Sequence, residues 1–293
     1  MFRMVFLIFF IGSAALAADQ FSYERKYQIG EQCEYLLTRN YYLNTQWQHK
    51  ATAAASLVVV ETENLLADQV QWLSLLKSDV SGTTDLSAEA KKVDSYFMSL
   101  QAGGPLKVPP LKVPQMVGMI TDFLTFFVAV SPHVGTPNVK SVGEIYVAPQ
   151  STKGDWSDGQ AVIIGEDCIH PRVEMTDLNS LVVTYKTSFL APTSDQVCIT
   201  MNKDWMVEPV DVGTPNNFQQ ITSDGSGKFN VMWGHEFFVV TSQVERATGK
   251  LLSANMDNYL NLRMKTDCST DLEGCQSDFP LTIRRALQLE IQR

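Results

Sequence analysis

Charged side chains are few in this 293-residue chain, 19% in all, and basic ones are outnumbered, with 23 Lys and Arg against 32 Asp and Glu. The shortage of positive charge excludes a general nucleic-acid binder, which must neutralise phosphates with clustered Lys and Arg. Disorder is excluded too, because 45% of the residues are hydrophobic. There is no Gly-x-Ser-x-Gly elbow, no Gly-rich phosphate loop before Lys-Ser/Thr and no His-Glu-x-x-His. The four histidines, His49, His133, His170 and His235, are widely scattered. Asp167, Cys168 and His170 with Glu174 put metal-type ligands close together, but Pro171 breaks any helical register, so no metal site is expected. Asp224-Gly225-Ser226-Gly227 resembles half of a calcium loop without the further acids and reads as a hairpin turn. No cofactor and no catalytic residue is expected, and the chain reads as non-enzymatic.

What is present begins with an address. Met1 to Ala17 carries one charge, Arg3, then an apolar run from Met4 to Ile11, then small residues ending at Ala17. That order is the order of a secretory signal peptide cleaved near Ala17, and the run is too short for a membrane span. Removing it shifts the formal net charge from −9 to −10, the charge of a soluble secreted or periplasmic protein. No Asn-x-Ser/Thr acceptor occurs. Export turns the five cysteines from reactive thiols into candidate disulfides. Cys268–Cys275 is expected to staple a small polar loop, and Cys168–Cys198 to bracket a strand-like segment. Cys33 is then left over as a buried, inert thiol, since no activating base adjoins it.

Two-residue periodicity dominates the mature chain. The spacing predicts a meander of strands near 33–43, 51–61 and 69–76. In the second of these, Ala51, Ala53 and Ala55 line one face, so something must pack very close there or a cavity must lie there. A helix is expected from about Asp85 to Gln101, with Leu86, Ala90, Val93, Phe97 and Leu100 at helical spacing. The tandem Pro105-Leu106-Lys107-Val108-Pro109 and Pro110-Leu111-Lys112-Val113-Pro114 must be extended, a stiff strut. Met116 to Val130 is the most apolar stretch of the mature chain, with Thr121, Asp122 and Thr125 on one narrow side. Bounded by prolines, it is too short to span a membrane and is either a core helix or a swinging hydrophobic lid. Beyond His133 the chain is strand-rich, with its clearest hairpin from Lys228 to Val244 and back from Leu251 to Met264.

No linker divides the chain, so one domain is expected over 18–293. The fold class is α+β but β-dominated: a single large, curved antiparallel sheet, like a half-barrel, with a two-helix and Pro-rich insertion at about 85–132 packed on it. The plan resembles, in architecture alone, periplasmic lipoprotein carriers and related half-barrels, whose helices cover the concave face of a curved sheet.

Polar residues on otherwise dry strand faces supply the candidate site. His235 interrupts the row Phe229, Val231, Trp233, Phe237, Val239. Asn258 interrupts the next strand and Arg285 the last. Such groups need partners, and they form either an internal network that fixes strand register or the convergent polar groups of an apolar pocket. In the second case His235, Asn258 and Arg285 hold the head group of an amphiphile, and Met119, Phe123, Phe127 and Trp233 line the space for its apolar part. The function expected is that of an exported binding protein for a hydrophobic or lipid-like molecule, held between sheet and helix. The alternatives are a non-enzymatic envelope module that meets another protein, and an exported hydrolase using His235 or His170.

Overall fold

The computed structural model describes residues 25–292 apart from 64, 102–103, 107–108, 132–138, 140, 148–159, 164–170, 190–217 and 224–226. The described strands form one thirteen-stranded sheet in which every pairing is antiparallel. A β-dominated single sheet is therefore the architecture, as the two-residue periodicity requires.

The long strands come from the two ends of the chain. β1 (Gln32–Leu43), β2 (Gln46–Glu61), β3 (Leu66–Asp79) and the short β4 (Gly82–Asp85) make the N-terminal meander. β11 (Phe229–Glu245), β12 (Leu251–Cys268) and β13 (Ser277–Gln292) make the C-terminal one. The two meet where β1 pairs with β13, Glu34 opposite Gln292 and Leu43 opposite Ile283. β9 (Val182–Phe189), β8 (Arg172–Leu178) and β6 (Ile145–Val147) continue the sheet beyond β11, while β10 (Phe218–Ser223) and β7 (Gln160–Ile163) branch from the other half of β11.

The first expected helix is corrected. Only one turn forms, α1 (Ser87–Ala90), followed by a strand, β5 (Tyr96–Met98). β4 covers β3 only at Leu76–Asp79, which leaves the edge of β3 around Asp68–Val70 to be paired, and β5 pairs it. Tyr96 and Met98 are buried and Phe97 is exposed, the alternation of a strand.

The second helix, α2 (Val117–Val130), follows a 3-10 turn at Pro114–Met116 that uses the last proline of the strut as its first residue. α2 lies over β1, β13, β11 and β9, across the seam between the two meanders. None of its residues is exposed, so the curved sheet and its neighbours enclose it nearly all round. Phe123 and Phe127 meet the Tyr35 ring edge-on at 6.0 and 5.9 Å, and Phe123 meets Trp72 at 5.4 Å. Ala51, Ala53 and Ala55 belong to the same buried cluster as these rings and Met119. Short side chains on β2 therefore give room to large ones opposite, which is the close packing their pattern implies. Thr187 on β9 donates to the Ala129 carbonyl at 2.9 Å, satisfying one of the carbonyls at the end of the helix.

Cys268 and Cys275 are joined by a disulfide around the loop that closes β12 onto β13. Cys33 is a free thiol, half-buried on β1, and burial, reinforced by the Asp68 carboxylate, pushes its pKa up to about 11. It is protonated at neutral pH. Cys168 and Cys198 lie outside the described residues.

Candidate functional site

A buried carboxylate on an apolar helix is the centre of the site. Asp122 is 1% exposed, yet its carboxylate reaches two arginines of the sheet below: Oδ1 accepts from Arg285 Nη1 at 2.7 Å and Oδ2 from Arg39 Nη1 at 3.2 Å. Arg285 is held from two further sides. Its Nε donates to Asn258 Oδ1 at 2.8 Å and its Nη2 to Glu236 Oε1 at 3.0 Å, while Asn258 Nδ2 donates to the same Glu236 oxygen at 2.8 Å. Strand register sets this up, because Asn258 stands opposite Arg285 across β12 and β13, and Arg285 opposite Tyr41 across β13 and β1. Burial opposes the Arg285 charge, but Asp122 and Glu236 outweigh it and hold the guanidinium above its ordinary value.

Arg39 extends the belt sideways. Its Nη2 lies 3.5 Å from His49 Nε2, and His49 is stacked on Tyr41 with ring centroids 5.1 Å apart. Burial, and then the Arg39 charge, lower the His49 pKa to about 4, so the ring is neutral at pH 7. The Arg39 Nε is buried with no hydrogen-bond partner among the described residues. Gly118, one turn before Asp122, lets the guanidinium approach, since a Cβ there would sit 2.0 Å from Arg39 Nη1.

The structure divides the candidate residues between the two faces of the sheet. Met119, Phe123 and Phe127 are on α2 and buried in the core between it and the sheet, and Asn258 and Arg285 are in the belt beside them. His235 does not join them. It pairs with Asn261, whereas Asn258 pairs with Phe238, so His235 projects from the opposite face, as does Trp233, whose ring lies 5.4 Å from Lys265 Nζ. His235 Nε2 is buried without a hydrogen-bond partner among the described residues. His133 and His170 lie outside the described residues. Asp122, Arg39 and Glu236 are members that periodicity did not single out as ligands. Asp122 does carry a signal, as the sole Asp, Glu, Lys or Arg between Lys112 and Lys140.

A second ionic cluster closes the other end of the sheet. Arg25 pairs with Glu31 at 3.0 Å, Lys250 also pairs with Glu31, and Tyr27 donates to Asp68 Oδ2 at 3.0 Å. Asp68 is 5% exposed, and burial raises its pKa to about 6 against the pull of Arg25 and Tyr27. A folded-state value above the ordinary carboxyl value means that the protonated form favours the native state. This stabilisation is complete below about pH 4 and is lost as pH rises through about 6. Asp68→Asn, which mimics the protonated acid, is therefore expected to gain on the wild type by up to about 3 kcal/mol between pH 4 and pH 7. Urea midpoints of the two proteins across that range measure the gain, and a pH-independent difference would refute it. His49, whose lowered pKa favours the native state at higher pH, contributes equally to both curves and cancels.

The chain matches no protein-family model and no curated protein.

Proposed function

We propose that the protein is an exported, non-catalytic carrier of an amphiphilic, lipid-like anion, whose apolar part takes the bed that α2 fills in this structure. The observation that supports this reading is the seating of Asp122 on Arg39 and Arg285. An apolar helix about 21 Å long that bears one carboxylate has the chemical outline of a fatty acid: a greasy body and a single anionic head. Two arginines are a poor choice for merely fixing a helix, because a buried ion pair stabilises no better than a hydrophobic replacement of the same volume. They are a good choice for reading a carboxylate or phosphate. The Arg39 Nε, which has no partner among the described residues, adds a donor that Asp122 does not use. The proline-bounded strut before α2 supplies a stiff arm on which the helix swings aside.

The test is oleate binding by the mature protein, with organic extraction and mass spectrometry of the protein as purified from an exporting host. Saturable binding of oleate at one per chain is expected, tightened about ten-fold in Asp122→Asn, where the competing carboxylate is gone. Absence of any co-purifying acyl lipid together with no saturable oleate binding would overturn the reading.

A further inference from the structure

Asp122 leaves the sheet with α2 in the carrier reading, on which this inference rests, but Glu236 stays behind. It stands on β11, and two side chains of the neighbouring strands hold it there. Its Oε1 accepts from Arg285 Nη2 at 3.0 Å and from Asn258 Nδ2 at 2.8 Å, and Asn258 Oδ1 accepts in turn from Arg285 Nε at 2.8 Å. The three side chains close a ring of hydrogen bonds across β11, β12 and β13. Register builds it: Phe238 stands opposite Asn258 and Asn258 opposite Arg285, with Glu236 two residues from Phe238 and so on the same face. Glu236 cannot turn away without breaking both of these bonds.

The seat that α2 vacates therefore has a fixed negative charge at its back. Its front is the pair of guanidiniums, with the His49 ring beside Arg39 neutral at pH 7. In this structure the pair receives one negative charge, spread over two oxygens: Asp122 Oδ1 lies on Arg285 Nη1 and Oδ2 on Arg39 Nη1. An incoming head group meets the same geometry. A cation is repelled by both arginines, and a neutral head leaves them in a half-buried site without the carboxylate they had. A second negative charge faces Glu236 across a single guanidinium, and like charges at that range disfavour one another. Screening is weak there, because the Glu236 side chain is 13% exposed and that of Asp122 1%.

Carboxylates and phosphodiesters both carry one charge on two equivalent free oxygens, one for each arginine. A phosphate monoester carries about two at neutral to alkaline pH. We infer that Glu236 is the specificity-determining residue of the seat, which admits a head group with one negative charge, a carboxylate or a phosphodiester, and rejects a phosphate monoester.

The experiment is equilibrium dialysis of the mature protein at pH 8 against three amphiphiles with the same eighteen-carbon chain: oleate, oleoyl lysophosphatidylglycerol and oleyl phosphate. Oleate, the phosphodiester or both are expected to bind about ten-fold tighter than the monoester. Glu236→Gln keeps an oxygen for Arg285 and Asn258 but not the charge, and is expected to close that gap. A ratio measured within one variant is insensitive to a general loss of binding, and the wild-type ratio is a test in itself if the variant does not fold. Oleyl phosphate bound as tightly as the better monoanion by the wild type, or a gap unchanged in Glu236→Gln, would overturn the inference while leaving the carrier reading intact. Saturable binding of none of the three would overturn both.

Discussion

Asp122→Ala is expected to cost about 4 kcal/mol of folding free energy, seen as a lower urea midpoint with an unchanged slope. The lost methylene and carboxyl contacts are the small part of this. The large part is what the substitution leaves behind, two guanidiniums in a site that had been neutral. Arg285 keeps Glu236 and Asn258, but among the described residues Arg39 keeps only the neutral ring of His49. Arg39 and Arg285 are 15% and 23% exposed at their side chains, too little for water to replace the carboxylate fully. Because the stranded charge carries the cost, Asp122→Ala with Arg39→Met should be less damaging than the sum of the single changes, by about 2 kcal/mol in a double-mutant cycle. A single-variant loss below about 1 kcal/mol would mean that the belt is solvated and does not hold the helix.

Much of this arrangement is legible in local pattern. The dry faces of β12 and β13, Ala254, Met256, Leu260, Leu262 on one and Leu281, Leu287, Leu289 on the other, are buried as their alternation implies. The bounds of α2 follow from its flanking prolines, and Arg285 and Asn258 stood out because each interrupts an apolar row. What pattern could not assign is a face when both faces are apolar. On β11, Val231 and Trp233 are buried on one side and Val240 and Val244 on the other, so the row through His235 looked like the helix-facing one. The register places Glu236, not His235, beside Asn258. Asp122 was visible as a lone charge on a greasy helix, but its partners lie on β1 and β13, and no local spacing connects 39, 122 and 285. The 85–101 segment was misassigned for a similar reason. Its apolar residues fit helical spacing, and the unpaired edge of β3 that draws Tyr96–Met98 into the sheet is a tertiary fact.

Gly234→Ala is expected to be as damaging as the loss of Asp122, again by about 4 kcal/mol, through the backbone alone. Gly234 has φ +150 and sits inside β11, where a Cβ would stand 2.2 Å from the Asn261 carbonyl oxygen and 3.0 Å from Leu262 Cα. That oxygen cannot yield easily, because β12 is hydrogen-bonded to β11 on one side and to β13 on the other. The position is also where β11 changes neighbours: it pairs with β10 up to Gly234 and with β9 from Phe238. A glycine there lets one strand serve two differently directed partners. Gly82→Ala is the control. Gly82 also has a positive φ, +135, but nothing lies within 4 Å of its Cβ position, so its loss reports the conformational strain without the clash, about 1 to 2 kcal/mol. Thermal or urea unfolding of both variants separates the two contributions. Equal losses would show that β12 gives way at Asn261. In that event Glu236, two residues along β11, is the group expected to move, and its hydrogen bond to Arg285 the one to weaken.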